Sequence, residues 1–183
     1  MVISRSGAPK FWVVLAILAI VSPAADAQVA IADLKAAFVL NLARFTEWPE
    51  SVRPAGTRVV LCVIGDRGVA DSLGRIVTRK LITGRTIETR QPDDDASLRL
   101  CHVLYVNADA ARARELLATL AGAPILTIGG SPEFTALGGT AHLFMEGDRM
   151  RFAVNVTAAH RTNLRMSAQL LNMARIVRDD AAR

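Results

Sequence analysis

Cysteine is scarce in this chain: 183 residues carry two, Cys62 and Cys101, and no C-x-x-C spacing. That excludes a dithiol redox motif and a zinc knuckle. Two cysteines in an oxidising compartment allow one intramolecular bridge, and in a reducing one they stand as two buried thiols. Histidine is equally sparse. His102, His142 and His160 show no i, i+4 pair and no ligand pattern with acids or cysteines, so no metal is expected. His102 follows Cys101 at the mouth of a strand and is read as a packed or capping residue. Nucleophilic chemistry lacks its usual marks as well. There is no G-x-S-x-G, and Pro132 directly after Ser131 rules out a nucleophile elbow there. Gly65-Asp66-Arg67-Gly68 stands at a strand-to-helix turn, where backbone N–H groups can hold an anion, but it lacks G-x-G-x-x-G and any Walker lysine. A turn that needs glycine is the simpler account. Asp93, Asp94 and Asp95 sit together in a polar loop and are read as solvated rather than as a hydrolytic carboxylate pair. No constellation reads as an active site, and neither an enzyme nor a cofactor is expected.

Long apolar runs are also rare, and the one conspicuous run lies at the start. Arg5 and Lys10 precede the apolar stretch Phe11 to Val21, Pro23 ends it, and Ala25-Asp26-Ala27 follows. This is the three-part layout of a secretory signal. Eleven apolar residues are short against the ~20 that cross a bilayer, which disfavours a retained anchor. Residues 1–27 are therefore expected to be cleaved, leaving one domain of 156 residues, 28–183, outside the cytoplasm. The net charge of +5 drops only to +4 without Arg5, Lys10 and Asp26. Export, and arginines scattered without interleaved aromatics, argue against nucleic acid as the partner of this basic domain.

What is present is alternation. Leu34, Phe38, Leu42 and Phe45 form a helical stripe, with Asp33 expected in the first turn and Pro49 and Pro54 closing it. Arg58 to Ile64, His102 to Asn107 and Pro124 to Ile128 read as buried strands, and Gly84 to Arg90 as a more exposed one. Helices through Leu73, Ile76 and Val77, and through Ala113, Leu116, Leu117 and Leu120, lie between them. Thr140 to Met145 and Arg149 to Val156 flank a turn at Glu146-Gly147-Asp148, and Ser167 to about Arg178 is expected to be a long final helix. Together these imply a single three-layer α/β domain: a mixed sheet with helices on its faces, then a C-terminal hairpin and helix. Donors are dense from Arg149 to Arg165, where Arg151, Arg161 and Arg165 accompany Asn155, Thr157 and Asn163.

Ordered pieces of the chain resemble one family. They are Lys35-Ala36-Ala37-Phe38 with Glu47-Trp48-Pro49, Leu61 to Asp66, Cys101 to Val106, Ile125 to Gly129, Arg151 to Asn155, and Ala158-Ala159 through Arg161, Arg165 and Leu170. In order and spacing this set is similar to the YfiR-like family. The resemblance implies a periplasmic, non-enzymatic regulator that represses an inner-membrane sensor, a diguanylate cyclase, and so controls cyclic di-GMP and biofilm formation. It also implies an outer-membrane lipoprotein that sequesters the repressor, and a homodimer. Cys62 and Cys101 match the family's shared bridge, whereas around Thr135 and His142 no cysteine stands for its second one. Partner contact would involve Ala153, Asn155, Ala159 and Arg161. Arg165 matches an arginine that binds a small aromatic ligand, with Ser167 where the family member has histidine. The rival reading is a periplasmic small-molecule binding module serving another sensor, such as a histidine kinase, with its pocket at the strand ends near Gly65 and Gly129.

Overall fold

The computed structural model describes residues 23–52, 58–78, 81–82 and 84–178. Most of the expected signal segment, and Pro54, lie outside them. A run of residues apolar at every position can serve a strand only if both its faces are covered. β2 (Val59–Ile64) meets that condition: Val59, Leu61 and Val63 enter one core layer, Val60 and Cys62 the other. β5 (Val103–Val106) divides in the same way, Val103 and Tyr105 to one side, Leu104 and Val106 to the other. Helices α1 (Pro23–Arg44) and α2 (Arg67–Val77) supply the first layer; α3 (Ala110–Thr119) and the short α4 (Glu133–Ala136) supply the second.

β2 and β5 are flanked by β4 (Arg85–Arg90) and β6 (Leu126–Gly129), all mutually parallel. The two-residue β3 (Leu81–Ile82) closes one edge against β4. Beyond β6 come β7 (Ala141–Glu146) and β8 (Arg149–Asn155), an antiparallel hairpin turned at Gly147, whose φ of +63° favours glycine. With β10 (Arg175–Val177) at the far edge, the eight-stranded order is β10-β8-β7-β6-β5-β2-β4-β3.

Two expectations fail in instructive ways. α1 starts at Pro23, so Asp33 lies well inside it, where it pairs with Arg75 of α2 at 2.7 Å. Its buried face is Ala32, Ala36, Val39, Leu40, Leu42 and Ala43; Leu34 is exposed, and Phe38 and Phe45 are half-buried. Small residues win that face because α1 lies close on α2: a Cβ on Gly68 would stand 3.2 Å from the Ala32 methyl. From Gln28 to Ile31 the side chains are exposed, and Ala32 is the first buried one among those described.

The long final helix is the second failure. α6 spans only Ala168–Met173, capped by Ser167, whose Oγ accepts from the Leu170 N–H at 3.2 Å. Arg175–Val177 then forms β10, parallel to β8, with Arg175 opposite Ala153 and Val177 opposite Asn155. The outer edge of β8 needs backbone partners, and Ile176-Val177, both β-branched, meet that need better as strand than as helix.

Candidate functional site

The chain leaves α1 as β1 (Thr46–Glu47), which pairs antiparallel with β9 (Arg165–Met166). The Ser167 N–H donates to the Phe45 carbonyl at 3.0 Å and extends this clip. What brings β9 back is the end of α5 (Val156–Arg161). There Asn163 takes a φ of 55°, the left-handed conformation asparagine tolerates. The Leu164 N–H reaches the Ala159 carbonyl at 3.0 Å across that turn. Between clip, α5 and the following loop opens a cleft of about 710 Å³, lined among others by Glu47, Trp48, Glu50, His160, Asn163 and Arg165.

Trp48 anchors the cleft floor. It is buried, its Nε1–H donates to the His102 carbonyl at 3.2 Å, and its ring meets the His102 ring edge-on. The rim carries both signs, the Glu47 and Glu50 carboxylates and the Arg165 guanidinium, which suits a zwitterionic or mixed-charge partner. The described lining residues offer carboxylates, a guanidinium, an imidazole and an amide, all groups able to bind a polar partner. Among the described residues no cluster of three histidine, cysteine or acidic side chains could hold a metal ion.

On the opposite face of the sheet, Cys62 of β2 is bonded to Cys101, just before β5, with Cα atoms 5.9 Å apart. Both are buried among Leu98, Leu104, Leu116 and Phe134.

The YfiR/HmsC-like family model (DUF4154) matches residues 32–175, nearly all of this fold. The chain belongs to the YfiR/HmsC-like family. Membership points to a periplasmic regulator. Among the described residues no helix is long and apolar enough to cross a membrane. Two solved structures are also similar at low identity. One is a conserved domain protein from Vibrio cholerae O1 biovar El Tor str. N16961 (11% identity, 79% of this chain and 59% of that one, TM-score 0.48). The other is an ABC domain in complex with L-Trp from Streptococcus pneumonia (9%, 80% and 60%, TM-score 0.49). The chain spans about three-fifths of each, and both are too distant to bear on function.

Within this YfiR/HmsC-like fold the residues expected to contact a partner are mostly interior. Ala153, Asn155 and Ala159 are buried, and only Arg161 is exposed. Ala153 sits mid-sheet between His142 and Arg175, and Asn155 ties α5 to α4 through its amide. Arg165 does reach a cleft; Ser167 is spent capping α6. Arg151, Arg161 and Arg165, close in sequence, line three different hollows rather than one patch. At the strand ends both glycines are closely packed. A Cβ on Gly129 would fall 2.1 Å from the Phe134 ring, and one on Gly65 2.0 Å from the Asn107 carbonyl oxygen. The turn after β2 holds its own anion, because Asp66 accepts from the Val69 N–H at 3.0 Å and from Lys35 at 3.1 Å. Asp94 caps Ser97 and Asp95 pairs with Arg112, so the acidic loop is structural. Sequence reasoning read Trp48 as a helix-end anchor and Glu47-Trp48-Pro49 as part of the resemblance, but not as a cleft wall, and it missed Glu50 and His160 as lining residues.

Two histidines are embedded in the fold. His102 Nδ1 accepts from the Val60 N–H at 3.2 Å, which leaves Nε2–H to donate to the Val52 carbonyl at 3.3 Å. His142 Nδ1 lies 3.0 Å from Thr135 Oγ1, whose own proton goes to the Pro132 carbonyl, so His142 is the donor. Where the resemblance implied a missing second bridge, this buried polar pair stands instead. Burial lowers both histidine pKa values, with Arg85 adding to the effect at His102 and Arg175 at His142. As pH falls through the ordinary value of about 6.5, the unfolded chain takes up protons before the folded one, so stability declines. It stops declining once the folded histidines also titrate. The thermal midpoint should fall between pH 7.5 and 5, with a shallower fall in His142→Gln; a flat profile would refute this.

Proposed function

We propose that this protein acts in the periplasm, after cleavage behind Ala27, as a non-enzymatic repressor of an inner-membrane sensor, a diguanylate cyclase. By binding one state of the sensor's periplasmic region better than the other, it would shift that equilibrium by the difference in affinity and lower cyclic di-GMP and biofilm formation. The observation carrying this reading is the family match across residues 32–175. Homodimerisation and capture by an outer-membrane lipoprotein belong to the same proposal. With Ala153, Asn155 and Ala159 buried, we assign direct contact to the exposed Arg161 and Arg165. Deleting the gene should raise cyclic di-GMP several-fold, and wild-type protein should restore it. Arg165→Glu, secreted and folded, should restore far less. An unchanged level on deletion sinks the reading.

The 710 Å³ cleft favours a second reading, a binding module that reports a small mixed-charge ligand to another sensor, such as a histidine kinase. Strong thermal stabilisation by a metabolite, without a cyclase partner, would select it.

A further inference from the structure

Leu170 is the last buried side chain among the described residues; in β10, Arg175 and Ile176 are exposed and Val177 is half-buried. A segment with so little burial is held by its backbone ladder to β8 and by whatever grips its side chains, and such segments open most readily. One grip is visible. Ala153 of β8 is paired with Arg175 on one side and His142 on the other, so the three form a row across β10, β8 and β7 on one face of the sheet. Ala153 contributes only a methyl to that face, which lets Arg175 reach over β8 onto β7. Its Cζ lies 4.6 Å from the centre of the Phe144 ring, and Nη2–H donates to Glu146 Oε1 at 2.8 Å. The His142 ring meets the same Phe144 ring, with centroids 5.4 Å apart.

His142 is 6% exposed and spends its Nδ1–H on Thr135, so a second proton must enter at Nε2. Burial opposes that proton most, Arg175 of β10 adds to the opposition, and Glu133 of α4 favours it. β6 brings only Gly129 beside it in the ladder. Beyond Phe144, Glu146 is already shared between Arg175 and Arg151 of β8, the latter at 3.3 Å. We infer that His142 and Arg175 form a proton-operated latch, in which proton uptake by His142 loosens β10 and uncovers the outer edge of β8 at residues 153–155. With β10 away, the imidazole loses its cationic neighbour and part of its cover, and its proton affinity rises toward the ordinary value of about 6.5. The open form then takes up a proton at higher pH than the closed one, so acidification favours opening until both forms are protonated. The Arg175 side chain is 60% exposed, and solvent screening holds the expected shift to a few-fold.

Hydrogen–deuterium exchange of the purified protein, read by mass spectrometry and corrected for the intrinsic chemical rate at each pH, tests this. Between pH 7.5 and 5, exchange over residues 174–178 should accelerate about threefold more than over residues 103–106 of β5, which report global opening. His142→Gln should abolish that difference. Arg175→Gln, which gives up the bond to Glu146, should exchange fast over 174–178 at both pH values and respond less to acid. The inference is overturned if residues 174–178 respond no more than β5 does. It is equally overturned if His142→Gln or Arg175→Gln keeps the full response of the unaltered protein.

Discussion

Replacing Cys62 and Cys101 together by alanine should lower the unfolding free energy by about 4 kcal/mol, and reductant should do the same to the unaltered protein. The bridge joins residues 39 apart, and that segment contains α2, β3 and β4, so in the unfolded chain the link removes a large share of the conformations open to it. In the folded state it costs little, since β2 and β5 are already neighbours through their backbone ladder, Cys62 opposite Leu104. Alanine is the cleaner substitution here, because both sulfurs sit in an apolar layer and serine would add buried hydroxyls. Denaturant titration with and without dithiothreitol reads the effect. Coincident curves would mean that the bridge contributes nothing, and the case for a protein built to fold in an oxidising space would lose its physical footing.

How far the sequence could be read depended on whether a feature is local. β2 was legible because every residue from Val59 to Val63 is apolar, which only a doubly covered strand explains. The hairpin was legible from Gly147 between two alternating runs. α1 was legible as a helix but not in its rotation, since pattern reading weights Leu34 and Phe38 over Ala32, Ala36 and Ala43, which are the residues actually buried. The last element misled for a non-local reason. Nothing within Arg175-Ile176-Val177 announces that β8 has an open edge beside it. The cleft was out of reach for the same reason: Glu47 and Arg165 meet only because the turn at Asn163 folds β9 back onto β1. Three arginines inside fifteen residues looked like one surface, yet the strand, helix and strand they occupy send them to separate hollows.

Asn155 separates a structural role from a contact role, and its substitution should give the second large effect. It is fully buried at the end of β8. Its Oδ1 accepts from the Ala158 N–H at 2.9 Å, capping α5, and its Nδ2–H donates to the Thr135 carbonyl at 3.0 Å, holding α4. Asn155→Ala removes the cap, worth about 1 kcal/mol, and takes one of two donors from the Thr135 carbonyl, which keeps the Gly138 N–H at 3.1 Å, at a further ~1 kcal/mol. A loss of about 2 kcal/mol is therefore expected in the isolated protein, with no partner present. Asn155→Asp should also destabilise: it keeps the capping oxygen, but it loses the donor to Thr135 and brings in a charge that must be buried. Since α5 carries Arg161 outward and His160 into the cleft, any loss of partner binding in these variants should track the loss of stability. Weakened partner binding at an unchanged denaturation midpoint would instead mean that Asn155 is reached from outside, which its burial between β8, α4 and α5 does not permit.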